Sequence, residues 1–396
     1  TLLLVLLASC VVNWGAALLA APGRRHRKAA FVTALVLNLG MLGYFKYTGF
    51  LLNNLNALGV DVTVPSIMLP AGISFFTFQA IAYLADVYRG TIPAERSLPR
   101  LTLFMAFFPQ VLQGPILRYG EFAPALTDRR ETAADAADGA VRFCFGLAKK
   151  VLLANNLGLL WDAYKALPAA ELTTAGAWLG VAAFTFQLYF DFSGYSDMAV
   201  GLGRMLGFEF MRNFNYPYIS RSITEFWRRW HISLGTWFRE YLYIPLGGNR
   251  VSTPRLFFNL LVVWAATGIW HGASWNFLLW GLYFAALLIL EKAFLLKLLD
   301  KLPALLRHLY TLFLVAVSWA IFAVEDFSQL GAYLKAMFGL AGGGLRDAAA
   351  WYYFRSFLPV LLISAVASTP LAARLWRRLP ERSMRLLLPV LLLAGL

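Results

Sequence analysis

Two histidines stand out because tryptophans, arginines and small residues surround each of them in an otherwise apolar sequence. His231 lies in the stretch 227–234, which reads WRRWHISL, and His271 lies in the stretch 270–276, which reads WHGASWN. An ionisable residue inside an apolar helical run is costly, so it is a functional candidate by default. Imidazole also suits proton transfer near neutral pH. The pattern predicts acid–base chemistry, and hydrogen bonding across a packed helix interface is the alternative.

His271 is the sharper of the two candidates because a glycine and a serine follow it closely. Gly272 and Ser274 can open a helix locally, which would give a ligand access to the imidazole. An opened helix also offers unpaired backbone N–H groups, and such groups stabilise an oxyanion. The sequence therefore predicts a reactive histidine beside a helix break.

Two aspartates interrupt the apolar run 175–203. Asp191 and Asp197 are six positions apart and therefore lie on different faces of a helix. Either could orient a histidine or pair with an arginine of the following segment. Structural ion pairing and catalytic support are equal alternatives at this point.

The composition requires a membrane. Of the 396 residues 60% are hydrophobic and 14% are charged, and the mean hydropathy is +0.62. Long apolar runs in a bilayer must be helices, so we predict an all-α, multi-pass helical bundle. The net charge of +14 comes from basic clusters between apolar runs, as the positive-inside rule requires, and we expect no nucleic-acid binding. Two cysteines and no zinc-type histidine pair predict neither a disulfide framework nor a metal site.

The apolar runs fall near residues 1–21, 29–52, 66–88, 101–117, 139–163, 175–203, 256–290, 308–324, 356–376 and 386–396. Two of them cannot be simple spans. The run 101–117 has basic flanks and contains Pro109 and Pro115, which predicts a broken or re-entrant helix. The run 256–290 would reach roughly 52 Å as one helix against a hydrocarbon core of about 30 Å. It must bend, and Gly268, Gly272 and Ser274 are the places where it can.

The segment 204–255 is the most polar part of the chain. It holds eight arginines against three glutamates and is rich in aromatic residues. The charge places it on the cytoplasmic side, and the aromatic residues place it in or near the membrane interface. Anchoring on anionic lipid is the simple explanation of such a segment.

Four stretches stand out as motifs: 189–198 (YFDFSGYSDM), 227–234, 243–248 (YIPLGG) and 270–276. Together they resemble the membrane-bound O-acyltransferase family, in its bacterial alginate O-acetylation branch. The stretches 69–79 and 107–116 also match, and the resemblance covers roughly residues 66–325. The two histidine motifs in their order are highly specific, whereas each of the other stretches alone is a weak signal. The family normally has additional membrane helices, so the chain looks truncated at both ends of a single transmembrane domain 1–396.

The resemblance implies an enzyme of the bacterial cytoplasmic (inner) membrane. It would move an acetyl group from cytoplasmic acetyl-CoA towards a hydroxyl acceptor for extracytoplasmic polysaccharide O-acetylation, without a metal. A separate extracytoplasmic acetyltransferase or the polysaccharide itself would receive the group, and membrane lipids would surround the protein. The resemblance makes His271 the general base and His231 the upstream motif histidine.

Further roles agree with this assignment. We expect Arg228, Arg229 and Arg239 to face the phosphates of the CoA donor, because the charge rule places them on its side of the membrane. The indole N–H of Trp270 or donors near Ser274 and Asn276 would stabilise the oxyanion.

Two other classes of function share some of these features. A transporter or flippase for a glycan or lipid-linked precursor would also have broken helices and buried charges. A non-catalytic scaffold of an envelope polysaccharide complex is the other alternative. Only the acyltransferase would form product from acetyl-CoA in detergent, without a membrane gradient.

Overall fold

The computed structural model describes residues 2–380 together with 387, 389, 390, 392 and 393, and within these residues all regular elements are helical. Most of the predicted run 386–396 lies outside the described residues. Three π-helical stretches, 149–155, 239–243 and 291–295, continue α7, α11 and α13 respectively. The α-helices are α1 (Leu2–Ala20), α2 (Arg27–Ala57), α3 (Ile73–Arg89), α4 (Leu98–Ala106), α5 (Tyr119–Phe122), α6 (Ala125–Asp128), α7 (Ala133–Ala148), α8 (Asn156–Lys165), α9 (Thr174–Met205), α10 (Ile223–Arg229), α11 (Ile232–Phe238), α12 (Thr253–His271), α13 (Trp275–Leu290), α14 (Leu296–Leu299), α15 (Ala304–Ala323), α16 (Phe327–Met337), α17 (Ala348–Ala367) and α18 (Pro370–Trp376).

The chain forms two compact units, and both are assembled from separate stretches of sequence. The first unit comprises residues 1–139, 199–211 and 236–249. Within it α1, α2, α3 and α4 pack together around buried aromatic residues such as Phe76 and Phe104. The segment 204–255 is shared between the units, since residues 212–235 and 250–255 belong to the second.

A pair of amides joins α1 to α2 in the first unit. Asn13 and Asn38 are buried, and each side chain donates to the other: Nδ2 of Asn13 lies 3.2 Å from Oδ1 of Asn38, and the reverse distance is 2.7 Å. The remaining Nδ2 protons reach backbone carbonyls one helical turn earlier, at Ser9 and Ala34. Two polar side chains on apolar helices are thereby satisfied within the helix pair.

The second unit comprises residues 140–198, 212–235 and 250–396 and carries both histidine motifs. The helices α12 and α13 form a tightly packed pair, and α10 and α15 pack against α13. The core of this unit is aromatic, and its largest fully buried side chains include Trp280, Trp319, Phe226 and Phe284. Such rings bury large apolar areas and set close, specific contacts around a site.

Among the described residues, five helical stretches are long and apolar enough to cross a membrane. They are residues 3–20, 27–57, 133–165, 304–323 and 348–367. The prediction of an all-α, multi-pass membrane protein is confirmed. The predicted run 101–117 also breaks, because α4 ends at Ala106 and the chain continues through turns to Arg118.

Some boundaries differ from those that the sequence predicted. The run 66–88 becomes helical only at Ile73, after Gly72 in the left-handed conformation. The run 356–376 forms parts of two helices, because α17 ends at Ala367 and α18 starts at Pro370 after a cap by Thr369. The first of these helices also starts earlier than predicted, at Ala348. The short helix α16 was not predicted, since it is amphipathic and only 11 residues long.

Candidate active site

His271 is the last residue of α12 and stands at a break between two helices. Gly272 and Ser274 have extended backbones, and α13 starts at Trp275. The predicted bend of the run 256–290 is therefore confirmed at Gly272 and Ser274. The break places the imidazole at an end of a helix, where the side chain remains partly exposed.

Gly268, the third place where the sequence allowed a bend, does not form it. It lies inside α12 and faces Gly281 of α13: a Cβ atom on Gly268 would lie 2.4 Å from the carbonyl oxygen of Phe277. A Cβ atom on Gly281 would lie 2.3 Å from the carbonyl oxygen of Trp264. The two glycines allow the helix backbones to touch, as small residues do in membrane bundles. This contact holds the break between α12 and α13 in place.

Aromatic rings surround His271. Its ring centroid lies 5.1 Å from that of Trp270, 4.9 Å from that of Trp280 and 5.4 Å from that of Phe322. All three arrangements are edge-to-face. Such packing restricts the orientation of the imidazole, as a general base requires.

His231 is held much more tightly than His271. Only 2% of it is exposed, and its backbone has a φ of 46°, in the left-handed region. A non-glycine residue in that region costs of order 1–3 kcal/mol and clusters at functional sites. The Nδ1 atom lies 3.2 Å from Oδ1 of Asn213, and the ring packs edge-to-face on Phe192 at 4.6 Å. The Nε2 atom is buried and has no hydrogen-bond partner among the described residues.

The structure brings the two histidine motifs together on Trp270. The ring centroid of Trp270 lies 6.3 Å from His231 and 5.1 Å from His271. The motifs are 40 positions apart in sequence, and both belong to the second unit. One indole therefore contacts both imidazoles.

Glu291 supports this site and was not predicted. It is buried at the end of α13, and its carboxyl oxygens accept hydrogen bonds from the backbone N–H groups of Ile223 and Thr224 at 2.7 and 2.8 Å. The hydroxyl groups of Thr224 and Tyr310 also donate to it, at 2.6 and 3.1 Å. These contacts cap α10, the helix that leads to His231, with a favourable acidic group. An acidic residue directly after the apolar run 256–290, with further apolar residues behind it, was the signal for it.

Asp191 and Asp197 form ion pairs with the preceding helical stretch. Asp197 contacts Arg142 at 3.0 Å and Lys149 at 2.6 Å, and Asp191 contacts Lys150. Their partners come from α7 and the π-helical stretch after it, and not from the arginine-rich segment. Of the two alternatives for these aspartates, these contacts match ion pairing.

The three arginines differ in their surroundings. Arg229 donates to Glu225 at 2.8 Å and to the carbonyl oxygen of Asn215 at 3.1 Å. Arg239, in the first unit, is exposed and pairs with Glu240 at 2.7 Å. Arg228 is exposed and has no ion-pair partner within the described ranges. Arg228 therefore has the most available charge for an anionic ligand.

Glu225 stays a partner for Arg229 over a wide range of pH. Burial alone would raise its pKa, but the backbone N–H of Arg221 and the guanidinium group of Arg229 lower the pKa below the ordinary value. The carboxylate is consequently charged at neutral pH, and the charge of Arg229 is compensated within the protein.

The predicted oxyanion donors Asn276 and Ser274 differ in whether their side chains already have hydrogen-bond partners among the described residues. Nδ2 of Asn276 donates to the carbonyl oxygens of Ile321 and Phe322 at 3.3 and 2.9 Å, so this amide ties α13 to α15. Ser274 occupies the position before α13 without capping it through its side chain. The N–H groups in the first turn of a helix have no acceptor within that helix. Ser274 and this first turn thus follow His271 closely in sequence, and Trp270 directly precedes it.

The sequence profile of the membrane-bound O-acyltransferase family matches residues 93–324. The chain is 45% identical over 341 residues to the probable alginate O-acetylase of Azotobacter vinelandii, a match that covers 84% of this chain and 68% of that protein. It is 44% identical to the corresponding protein of Pseudomonas aeruginosa, over 84% of this chain and 65% of the relative. The peptidoglycan O-acetyltransferase of Helicobacter pylori is 36% identical, over 81% and 66%.

The chain spans about two thirds of the length of these relatives. The matched region includes both histidine motifs, the break after His271 and Glu291. The profile alone covers more than half of the 396 residues. This chain is an integral membrane protein that belongs to the membrane-bound O-acyltransferase family.

Proposed function

We propose that this protein is an O-acetyltransferase of the bacterial inner membrane, which moves acetyl groups from cytoplasmic acetyl-CoA to a hydroxyl group for polysaccharide O-acetylation outside the cytoplasm. The observation that carries the proposal is the meeting of two histidines on Trp270 beside a helix break, in a member of this family. The names of the relatives, alginate O-acetylase and peptidoglycan O-acetyltransferase, support acetyl as the group and polysaccharide as the acceptor class.

His271 acts as the general base in this mechanism. An unprotonated ring nitrogen takes the proton of the acceptor hydroxyl while its oxygen attacks the thioester carbonyl and a C–O bond forms. The tetrahedral intermediate carries a negative charge on its oxygen. Hydrogen-bond donors that are close to His271 in the sequence stabilise this charge, namely the first turn of α13, Ser274 and the Trp270 indole. The C–S bond then breaks, and the CoA thiolate leaves and takes the proton back from the imidazolium. The ester and free CoA are the products.

The arginines bind the donor. A CoA molecule carries several phosphate oxygens, and guanidinium groups recognise phosphate through paired hydrogen bonds. Arg228 carries this interaction first, because it is exposed and its charge is available. Arg229 and Arg239 contribute less, since Glu225 and Glu240 already compensate them.

The acceptor is either the polysaccharide or an extracytoplasmic acetyltransferase that passes the group on. The names of the relatives support alginate and peptidoglycan equally as the polysaccharide that is modified. A teichoic acid D-alanyltransferase of Bacillus subtilis is also similar, with 30% identity over 55% of this chain. If the donor binds on one side of the membrane and the acceptor on the other, the proton-accepting residue has to be within reach of both.

Purified protein in detergent, with radiolabelled acetyl-CoA, tests the proposal. Mannuronate oligosaccharides, peptidoglycan fragments and a reaction without acceptor form the three arms. We expect labelled ester in at least one acceptor arm with the natural protein and none with His271→Ala. A carrier-type transporter would form no ester in detergent. Failure of every arm, including arms supplemented with the periplasmic extract of an O-acetylating strain, would contradict the proposal.

A further inference from the structure

Asn213 holds the turn that carries His231, and the acetyl-transfer mechanism described above does not use it. It is 1% exposed and lies in the segment between α9 and α10. Its carbonyl oxygen accepts the N–H of Ile232 at 2.9 Å. Its side-chain Oδ1 accepts the N–H of Ser233 at 3.1 Å and the hydroxyl of Ser233 at 2.9 Å. One residue thus binds the backbone immediately after His231 at two consecutive positions.

These contacts identify the atom of Asn213 that faces the imidazole. A backbone N–H only donates, so the atom that receives the Ser233 N–H must be the amide oxygen. The same oxygen lies 3.2 Å from Nδ1 of His231. Because the oxygen has no proton to give, Nδ1 must carry the proton for the contact to be a hydrogen bond.

The other ring nitrogen then has the lone pair. In a neutral imidazole with Nδ1 protonated, Nε2 is a hydrogen-bond acceptor. Nε2 of His231 is buried and lacks a partner across the described residues, although buried polar atoms are normally satisfied. The left-handed backbone of His231 separately marks this residue as a functional position, since strain is retained where a geometry is needed.

We propose that Asn213 is a positioning residue, which fixes His231 as the Nδ1–H tautomer and thereby presents the Nε2 lone pair to a donor group of the substrate. This hydrogen-bond donor is an O–H or N–H group of a substrate. It is either the hydroxyl that receives the acetyl group or an amide of the pantetheine arm of CoA. The role rests on the proposed acetyl transfer, whereas the tautomer does not depend on it.

The tautomer is measurable without any substrate. The chain has four histidines, so protein labelled with 15N-histidine in detergent gives few ring signals, and single His→Gln variants assign them. We expect His231 to have a protonated Nδ1 and an unprotonated Nε2 in the natural protein. Asn213→Asp, which keeps the acceptor, should preserve this state, and Asn213→Leu should lose it. A protonated Nε2 in the natural protein would overturn the proposal.

Ser222→Ala is the matched control. Ser222 is buried and its hydroxyl accepts the N–H of Glu225 as the cap of α10, in the same segment but away from the imidazole. Its loss should lower thermal stability and leave the His231 tautomer unchanged. A change of tautomer in this variant would show that general loosening of the segment is enough, which would also contradict a specific role of Asn213.

A double-mutant cycle tests the catalytic consequence. If Asn213 acts through His231, Asn213→Leu should lower turnover in the natural background but change it less than about twofold in the His231→Gln background. Additive losses in the two backgrounds would indicate a merely structural role and refute the proposal. The KM values of Asn213→Leu identify the hydrogen-bond donor that faces His231. A rise in KM for acetyl-CoA identifies the pantetheine amide, and a rise in KM for the polysaccharide identifies its hydroxyl group.

An inactive natural protein would disprove the proposed function without affecting the tautomer measurement. Conversely, an active protein with the other tautomer would leave acetyl transfer intact and remove the role of Asn213. The two proposals therefore fail in distinguishable ways.

Discussion

The two histidine motifs differ in how they hold their imidazoles. His271 lies at an open break, is partly exposed and is oriented by aromatic edges. His231 is buried in a strained turn that hydrogen bonds hold from several sides. A group that exchanges protons with substrates needs access, whereas a group that only orients a substrate benefits from rigidity. Within the proposed mechanism, we therefore assign proton transfer to His271 and substrate alignment to His231.

Replacing His271 should have the largest effect. His271→Gln keeps the size and hydrogen-bonding capacity of the side chain but cannot accept a proton, so we expect turnover to fall about 10²–10⁴-fold. Thermal stability and acetyl-CoA binding should stay near those of the natural protein, which separates loss of a base from loss of packing. Near-normal turnover of His271→Gln, with acetyl transfer as the limiting step, would end its assignment as base.

His231→Gln should have a smaller effect. Glutamine retains an acceptor, so we expect turnover to fall only about tenfold, the equivalent of one misaligned hydrogen bond. Steady-state kinetics on both variants in one preparation gives the ratio. If His231→Gln were the more damaging substitution, the roles of the two histidines would have to be exchanged.

Glu291 tests whether α10 must be anchored for His231 to function. In Glu291→Gln an amide NH₂ would face the backbone N–H groups of Ile223 or Thr224, so unfolding should become easier by about 1–3 kcal/mol. Turnover should fall several-fold through a shifted His231. Tyr310→Phe removes only one hydroxyl donor to the same carboxyl group and is the control, with a smaller loss expected. Equal stability of both variants would argue against the anchoring role.

The arginines should affect donor binding and not chemistry. We expect Arg228→Ala to raise the KM for acetyl-CoA by about tenfold at unchanged kcat, as the loss of one charge-assisted contact does. Arg229→Ala and Arg239→Ala should change it less, because glutamates already compensate these charges. If the KM for acetyl-CoA were unchanged in all three variants, the arginines would not bind the donor, and anchoring on anionic lipid would explain them.

The smallest effect on activity concerns the sidedness of the segment 204–255. Arg250→Cys should leave turnover near normal and should react with an impermeant thiol reagent only after the cytoplasmic side is opened. The two natural cysteines, Cys10 and Cys144, are buried and give little background. Labelling of intact cells from outside would reverse the charge-based orientation.

The sequence predicted the parts of the site that local chemistry determines. Gly272 and Ser274 marked the helix break because both weaken a helix, and the break lies there. Gly268 carried the same local signal but serves a helix contact, since only the fold decides what faces a glycine. The partners of Asp197 could not be predicted, because α7 meets α9 through tertiary packing.

Asn213 and Glu291 mark two different limits of sequence reasoning. Asn213 lies in a non-helical segment where an asparagine has no periodic pattern to distinguish it, and its role depends on the backbone geometry of a residue 18 positions away. Glu291 had a weaker signal, an acidic side chain directly after the apolar run 256–290, and the criterion applied to Asp191, a position inside a run, did not cover it.

The reciprocal amides of Asn13 and Asn38 bear on how the protein enters the membrane. An isolated α1 or α2 would expose an amide to lipid, where each unsatisfied polar group costs several kcal/mol. As a hairpin, the two helices satisfy most of these groups within themselves. Insertion of the pair therefore costs less free energy than insertion of either helix alone. We expect α1 to enter the lipid together with α2, after α2 has been synthesised.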